Sequence, residues 1–311
     1  MKILMNKRFA FAWGYITDSL MSAFADKGHE VQRYTNDPNQ WASFDPDVYI
    51  GCSGHKEIIP NNRRAKIAIH VNPYGPVDLG QFNENNTDRE WVAANKADLV
   101  FGYGSKNDAI MWSHWTSKLG IPWVPMPVAG DRLQYHDLGL WRHNDVVYLG
   151  GRWPYKAKTI DAYLLPVLDS YQHAIKGYGN WPPQYKVDRL PEDGSNQFLN
   201  TGKIGPCISE AHTHQFGFDI PERAFKLALA GVLAIHDPVP SIKAMIPSMV
   251  VARDAQDYKR LVGYYLSNSD IAKDTARRQK EEVLNNHTYH HRCSTLLHGL
   301  GFHQEADGMI N

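Results

Sequence analysis

Short apolar runs, set off by glycine, proline and polar clusters, recur along this chain and alternate with stretches of helical period. Runs at 2–6, 30–34, 47–53, 66–71, 99–103 and 123–128 read as strands. Segments 17–27 and 88–96 read as helices, as does a segment capped by Ser105 that runs to Leu119. The polar stretch 129–144, with Gly130 and Gly139, reads as a linker. A second alternating unit follows, with strands at 145–149, 173–177, 207–211, 232–235 and 249–252. Its helices are predicted at 157–170, 221–230, 255–266 and 271–285, and residues 177–205 read as a loop. Such βαβα alternation predicts an α/β protein with parallel sheets covered by helices on both faces. The division expected is a Rossmann-like domain over 1–142, a second over 143–286, and a last helix within 287–311 that packs back on the first domain. Two such domains facing each other make a central cleft.

The totals narrow the function classes. With 311 residues, 43% hydrophobic and 21% charged, the chain has room for two ordinary domains. Lys+Arg and Asp+Glu are both 33, so no global field attracts nucleic acid or anionic membrane, and any such binding must be local. No apolar run approaches a membrane span of ~20 residues. The opening MKILMNKRFAFAWG has too short an apolar core for a signal peptide and reads as a first strand. Cys52, Cys207 and Cys293 form no CxxC pair, which fits a reducing, cytoplasmic setting. His212 and His214, two apart on a predicted strand, share a face, but with no Cys or HExxH partner nearby no metal site is expected.

In open α/β sheets ligands sit beyond the carboxyl ends of strands, so residues just after strands carry the candidate chemistry. In IPERAFKLALAGVLAIHDP (220–238), Pro221 is read at the first helical position and Gly231 as the stop. Glu222 and Arg223 fall in the first turn, where unpaired N–H groups welcome an anion, and an arginine there suits a diphosphate. A solvated surface arginine accounts for Arg223 equally well. After strand 145–149 come Gly150, Gly151, Arg152, Lys156 and Lys158, paired glycines followed by positive charge. The stretch is neither GxGxxG nor a Walker loop, and together with Arg223 it favours a phosphate-bearing ligand. Gly177-Tyr178-Gly179-Asn180 puts an aromatic on the same rim, able to stack on a base or simply to form a turn. In the first domain His70 ends a buried strand, as a general base for a hydroxyl or as a core histidine bonded to backbone. Asp18 is the alternative base, or a helix N-cap.

VVYLGGRWPYK (146–156), IKGYGNWP (175–182), ERAFKLALAGVLAIHD (222–237) and HTYHHRCSTLL (287–297) occur in an order that resembles GT-B glycosyltransferases. The similarity is to the CgeB-like group and to the T-even phage DNA β-glucosyltransferases, and it covers about half the chain. The resemblance implies a nucleotide-sugar domain over 143–286 and an acceptor-binding domain over 1–142. It implies that Gly150, Gly151, Arg152, Lys156, Gly179, Asn180 and Arg223 surround the donor, with Gly151, Arg152 and Arg223 on the diphosphate. Where that family has a ribose-binding Glu three residues after the arginine, this chain has Lys226, and Glu222 is the residue left to take the ribose. A UDP-sugar co-substrate is implied, with no essential cofactor; a divalent metal is compatible with the scheme but not required. The acceptor implied is the hydroxyl of a 5-hydroxymethylated pyrimidine in double-stranded DNA. Arg63, Arg64 and Lys66, together with Lys7, Arg8, Trp13 and Tyr15, are the candidate contacts. The scheme is an inverting transfer by a monomer, in the host cytoplasm if phage-encoded, without a membrane partner. A glycan, protein or small-molecule acceptor, a catalytically silent sugar-nucleotide or DNA-binding protein, and more remotely a dinucleotide oxidoreductase, are the rival readings.

Overall fold

The computed structural model describes residues 1–8, 12–52, 55–61, 63–71, 87–102, 119–189, 194–216 and 220–311. Most of the helix expected from Ser105 to Leu119, and the stretch from Asn72 to Pro76, lie outside the described residues. The chain divides into two compact units, 1–128 with 289–311, and 129–288.

The first unit is built on a six-stranded sheet of β1 (Lys2–Met5), β2 (Glu30–Arg33), β3 (Val48–Cys52), β4 (Lys66–His70), β5 (Leu99–Gly102) and β6 (Trp123–Pro125). The spatial order is β2-β1-β3-β4-β5-β6 and every pairing is parallel. The order reverses between β1 and β3, which makes that gap the switch point of the sheet. The central strands are apolar on both faces because helices cover both: β5 is buried throughout, and only Lys66 of β4 is exposed. Leu4, Tyr49, Ile67, Ile69 and Val100 pack with Tyr34 and Trp41 into one core. Helix Ala12–Asp26 follows β1. The short helix Pro38–Phe44 is started by Pro38 and by the Asp37 carboxylate, which accepts from Asn39 N–H at 2.9 Å. Helix Tyr289–Gly299 closes the unit: His290 bonds Asp26 at 2.9 Å, and Arg292 donates to the carbonyls of Pro127 and Val128 at 2.6 and 3.1 Å. Burial lowers the Arg292 guanidinium to about 10, and those two carbonyls compensate its lost hydration.

The second unit holds β7 (Asn144–Leu149), β8 (His173–Lys176), β9 (Val187–Asp188), β10 (Gly202–Cys207), β11 (Leu233–His236) and β12 (Val250–Val251). The order β12-β11-β10-β7-β8-β9 is again wholly parallel and reverses between β7 and β10. Val146, Ile175, Ile204, Leu233 and Ile235 form the core with Leu164 and Tyr258. Asp254 caps helix Ala255–Ser267 by accepting from Asp257 N–H at 2.8 Å. Helix Ser269–Asn286 packs along β11, where Gln279 bonds both N–H and C=O of Ala234.

The segment read as a linker belongs to this unit. Asp131 caps its own turn, Tyr135 bonds Ser195, and Arg142 donates to the carbonyls of Gly202 and Ala230. Two elements differ in type or place. The strand expected at 207–211 is β10, which begins at Gly202, and Ala211 instead opens a helix, Ala211–Phe216. The loop expected over 177–205 contains β9 and helix Ser195–Leu199.

Candidate functional site

At the switch point of the second sheet one side chain ties β7 to β10. Arg223 opens the seven-residue helix Arg223–Leu229, with Glu222 at the cap position and Pro221 in the turn before it. Its Nε donates to Leu149 C=O at 2.5 Å and its Nη1 to Ile208 C=O at 3.4 Å. The guanidinium lies over the Tyr148 ring, 4.4 Å from the centroid. Gly150 makes this approach feasible, because a Cβ there would stand 2.1 Å from Nη2. Arg223 is therefore neither a loose surface residue nor a charge that depends on its helix end. It is held by two carbonyls and a ring at the place where open sheets bind ligands.

The glycine-rich rim is a clasp between two strand-end loops. Arg152 N–H donates to Tyr178 C=O at 3.0 Å and Asn180 N–H to Arg152 C=O at 3.2 Å. Gly179 has φ 103°, and a Cβ there would meet Arg152 C=O at 2.4 Å. The Arg152 side chain completes the clasp, with Nε and Nη2 on Asp161 at 3.0 and 2.8 Å and Nη1 on Asn180 C=O. Tyr178 stays on the rim, edge-on to Trp153 at 4.2 Å.

Other charges expected at the site are spoken for. Lys156, with its side chain 4% exposed, donates to Glu210 at 2.7 Å. Lys226 pairs with Glu222 at 2.6 Å, one turn apart on the helix, and lies over the Tyr135 ring at 5.1 Å. Burial alone would pull the Lys226 ammonium down, but Glu222 and Tyr135 outweigh it and hold it above its ordinary value. The pair thus engages Lys226, which stands where the family's ribose-binding Glu is expected, and Glu222, the residue read as taking the ribose in its place.

Beyond β10 and β11 lies a buried polar knot that the sequence pattern does not announce. Asp237, fully buried, accepts from Ser209 O–H at 2.7 Å, Ser209 N–H at 2.8 Å and His214 Nε2 at 2.9 Å. Burial pushes its carboxyl up, yet the bonds from His214 and His236 prevail and hold it well below the carboxylate range. The Asp237 hydrogen bond in turn raises His214. His214 lies on a helix, not a strand, so the shared-face argument for a metal fails, and the His212 side chain lies outside the described residues. Among the described residues no group of three or more His, Cys, Asp or Glu is placed to hold a metal ion.

In the first unit His70 closes β4, 5% exposed, with its ring stacked on Trp13 at 3.9 Å and edge-on to Phe101 at 5.5 Å. Cys52 Sγ stands 3.7 Å from its Nδ1. Burial lowers this imidazole to about 3, far below the operating range of a general base. Asp18 is inside helix Ala12–Asp26, so it is not an N-cap. Its side chain, 41% exposed, is gripped by Arg8 at 2.7 Å and by Arg33 from the end of β2. Tyr15, 40% exposed, lies under the Arg8 guanidinium at 5.5 Å, whereas Trp13 is engaged with His70.

The Arg63, Arg64 and Lys66 cluster is placed elsewhere. Lys66 is the first residue of β4 and His70 the last, so the cluster sits at the amino end, ~13 Å along the strand from His70. Arg63 donates to the carbonyls of Pro60 and Asn95, Arg64 pairs with Asp45, and Lys66 with Asp98 at 2.9 Å. Nearness to His70 in sequence is thus distance along a strand, not a shared site.

Two doubly wound parallel sheets, with Arg223 and the glycine-rich rim at the carboxyl ends of the second, define the α/β architecture of GT-B glycosyltransferases. The chain belongs to the glycosyl transferase-like family, which it matches over residues 142–298, half of its length. No curated protein matches the sequence. T4 phage BGT, solved with UDP and Mn2+, is similar in fold with a TM-score of 0.64 at 13% identity, covering 99% of this chain and 100% of that one. An α-glucosyltransferase solved with UDP and a 13-mer DNA containing an HMU base gives 0.63 at 10% identity, covering 93% and 95%. TarM, from S. aureus, gives 0.60 at 10% identity over 84% of this chain, and the chain spans only 57% of TarM's length. Among the described residues no helix is long and apolar enough to cross a membrane.

Proposed function

We propose that this protein transfers a sugar from a UDP-sugar to the hydroxyl of a 5-hydroxymethylated pyrimidine in double-stranded DNA. The observation that carries the donor half is Arg223, fixed by Leu149, Ile208 and Tyr148 over Gly150 at the β7/β10 switch point. A guanidinium in that place suits the diphosphate of a nucleotide sugar. Gly150 and Gly151 leave room for the Arg223 guanidinium and the Trp153 ring, while Arg152, Lys156, Gly179 and Asn180 shape the rim. Similarity to proteins solved with UDP supports the choice of nucleotide.

Asp18 is the proposed base in place of His70, being the more exposed of the two and oriented by Arg8 and Arg33. Its carboxylate takes the proton of the acceptor hydroxyl. The freed oxygen attacks the anomeric carbon as the bond to the β-phosphate oxygen breaks. Arg223 takes up the charge that develops on the leaving diphosphate. Direct displacement inverts the anomeric centre. Mn2+ accompanies UDP in T4 phage BGT, and no step here is assigned to a metal.

For the acceptor, Lys7, Arg8, Tyr15 and Arg33, at or near the carboxyl ends of β1 and β2, replace the Arg63 cluster as the proposed DNA contacts. The DNA-bound α-glucosyltransferase supports a DNA acceptor. The balanced net charge, and the pairing of every residue of the Arg63 cluster, favour a glycan or small-molecule acceptor as the second reading. Incubation with UDP-sugars, with and without hydroxymethylated duplex, followed by mass spectrometry of the nucleosides, decides between them. A hexose or pentose adduct establishes the DNA reading. UDP release that never leaves an adduct on DNA moves the acceptor to the second class.

A further inference from the structure

Two polar atoms of the second unit are buried and make no hydrogen bond among the described residues: Glu210 Oε2 and the Tyr148 hydroxyl, whose ring lies under Arg223. Glu210 lies three residues past the end of β10, in the loop whose Ile208 carbonyl receives Arg223. Its other oxygen accepts from Lys156, a side chain itself almost wholly buried, so the carboxylate is held in one orientation. Tyr155 marks the same neighbourhood: burial, then the Glu210 charge and Tyr178, push its hydroxyl up to about 12. The Tyr148 hydroxyl stands 3.2 Å from where a Gly150 Cβ would be, next to Arg223 Nη2.

An ionised carboxylate oxygen can only accept, so whatever completes Glu210 must donate. A diphosphate cannot do so, but a sugar hydroxyl can. Taking the donor reading above as its basis, we propose that Glu210 recognises a vicinal diol of the sugar nucleotide. The diol belongs either to the ribose or to the transferred sugar. Lys156 acts as a positioning residue that aims the carboxylate. The assignment gives Glu210 the hydroxyl contact that the sequence pattern gave to Glu222, whose carboxylate is paired with Lys226 on its own helix.

Glu210→Gln tests this with little change of shape. The amide oxygen can still receive Lys156, while an NH2 group replaces the accepting Oε2. Calorimetric titration of the full chain with UDP, 2′-deoxy-UDP and UDP-glucose is compared for wild type, Glu210→Gln and Arg223→Ala. If the diol is the ribose, Glu210→Gln weakens UDP about tenfold or more, and the preference for UDP over 2′-deoxy-UDP collapses towards one. If it lies on the transferred sugar, UDP is unaffected and UDP-glucose weakens by a similar factor. Unchanged affinity for both, with Arg223→Ala still losing UDP, overturns the role of Glu210 alone. Unchanged UDP affinity in Arg223→Ala overturns the donor reading and this assignment with it. Should Glu210→Gln melt early, Glu210→Gln with Lys156→Met removes both buried charges together, and the same ligand comparison applies.

Discussion

The Arg223 guanidinium lies over the Tyr148 ring at 4.4 Å while its Nε donates to Leu149, the residue that follows that tyrosine. One side chain from a helix late in the unit thus reads both the face and the backbone of its first strand. The consequence is a cation whose position is set by β7 and β10 together.

Gly150 and Gly179 should fail in opposite ways. An alanine at 150 collides with the tip of Arg223, a flexible end that can swing aside, so the fold survives and the cation is displaced. An alanine at 179 collides with the Arg152 carbonyl at a φ of 103°, where backbone must move. Gly150→Ala is expected to weaken UDP about tenfold or more with a melting temperature near wild type. Gly179→Ala is expected to lose about 1–3 kcal/mol of stability. Thermal melts beside UDP titrations separate the two, and equal loss of stability in both would show that Gly150 serves the backbone instead.

Asp18→Asn keeps the size of the side chain and removes its ability to take a proton. Turnover should fall by about two to four orders of magnitude with UDP affinity unchanged. Arg8 and Arg33 lose a charged partner, but the carboxylate is 41% exposed, so the stability change should be small. If Asp18→Asn turns over at the wild-type rate, the base lies elsewhere.

Much of this is readable in the sequence where one local rule suffices. Parallel strands buried on both faces announce themselves as apolar runs, and 232–235 lies within one residue of β11. The start of β10 is hidden because Gly202, Gly205 and Pro206 look like a loop. The glycines are there because Val147 and Leu227 pack where their Cβ atoms would be, at 2.2 Å in both cases. Charge partners are not legible. Arg152 and Lys156 look alike as cations after a strand, and only the fold supplies Asp161 and Glu210 to them. The same holds for Arg63, Arg64 and Lys66, whose partners, the Asn95 carbonyl, Asp45 and Asp98, come from other parts of the chain.

His70 should leave its mark on stability against pH. Its folded value of about 3 lies below the unfolded value of ~6.5, so the unfolded chain binds the extra proton between them. The contribution of this residue is therefore complete above pH ~6.5 and is lost progressively as pH falls towards 3. Burial lowers His29 and His55 in the same direction, so the test is a difference. Urea melts of wild type and His70→Phe at pH 7.5 and 4.5 should show a smaller acid loss in the variant. An equal loss in both would mean that His70 titrates freely in the folded protein.

The two basic clusters of the first unit make the last contrast. Arg63 is tied to the carbonyls of Pro60 and Asn95, and Arg64 and Lys66 to Asp45 and Asp98, all at the amino end of β4 or before it. Reversing Arg64 to Glu sets two carboxylates together on an exposed surface, a local cost that should leave duplex binding unchanged. Lys7 and Arg8 follow the carboxyl end of β1, with exposed Tyr15 beneath the Arg8 guanidinium. Reversing Lys7 and Arg8 together should weaken binding of hydroxymethylated duplex. It should also flatten the dependence of log affinity on log salt, by roughly one unit for each phosphate that is no longer neutralised. UDP affinity, assigned to the other unit, should not move. Fluorescence anisotropy of a labelled duplex at several salt concentrations measures the affinity and its salt slope, and calorimetric titration with UDP checks the donor side. If Arg64→Glu weakens the duplex and the Lys7/Arg8 reversal does not, the nucleic acid binds at the amino end of the sheet. If neither variant changes a measurable affinity, this face does not carry the acceptor.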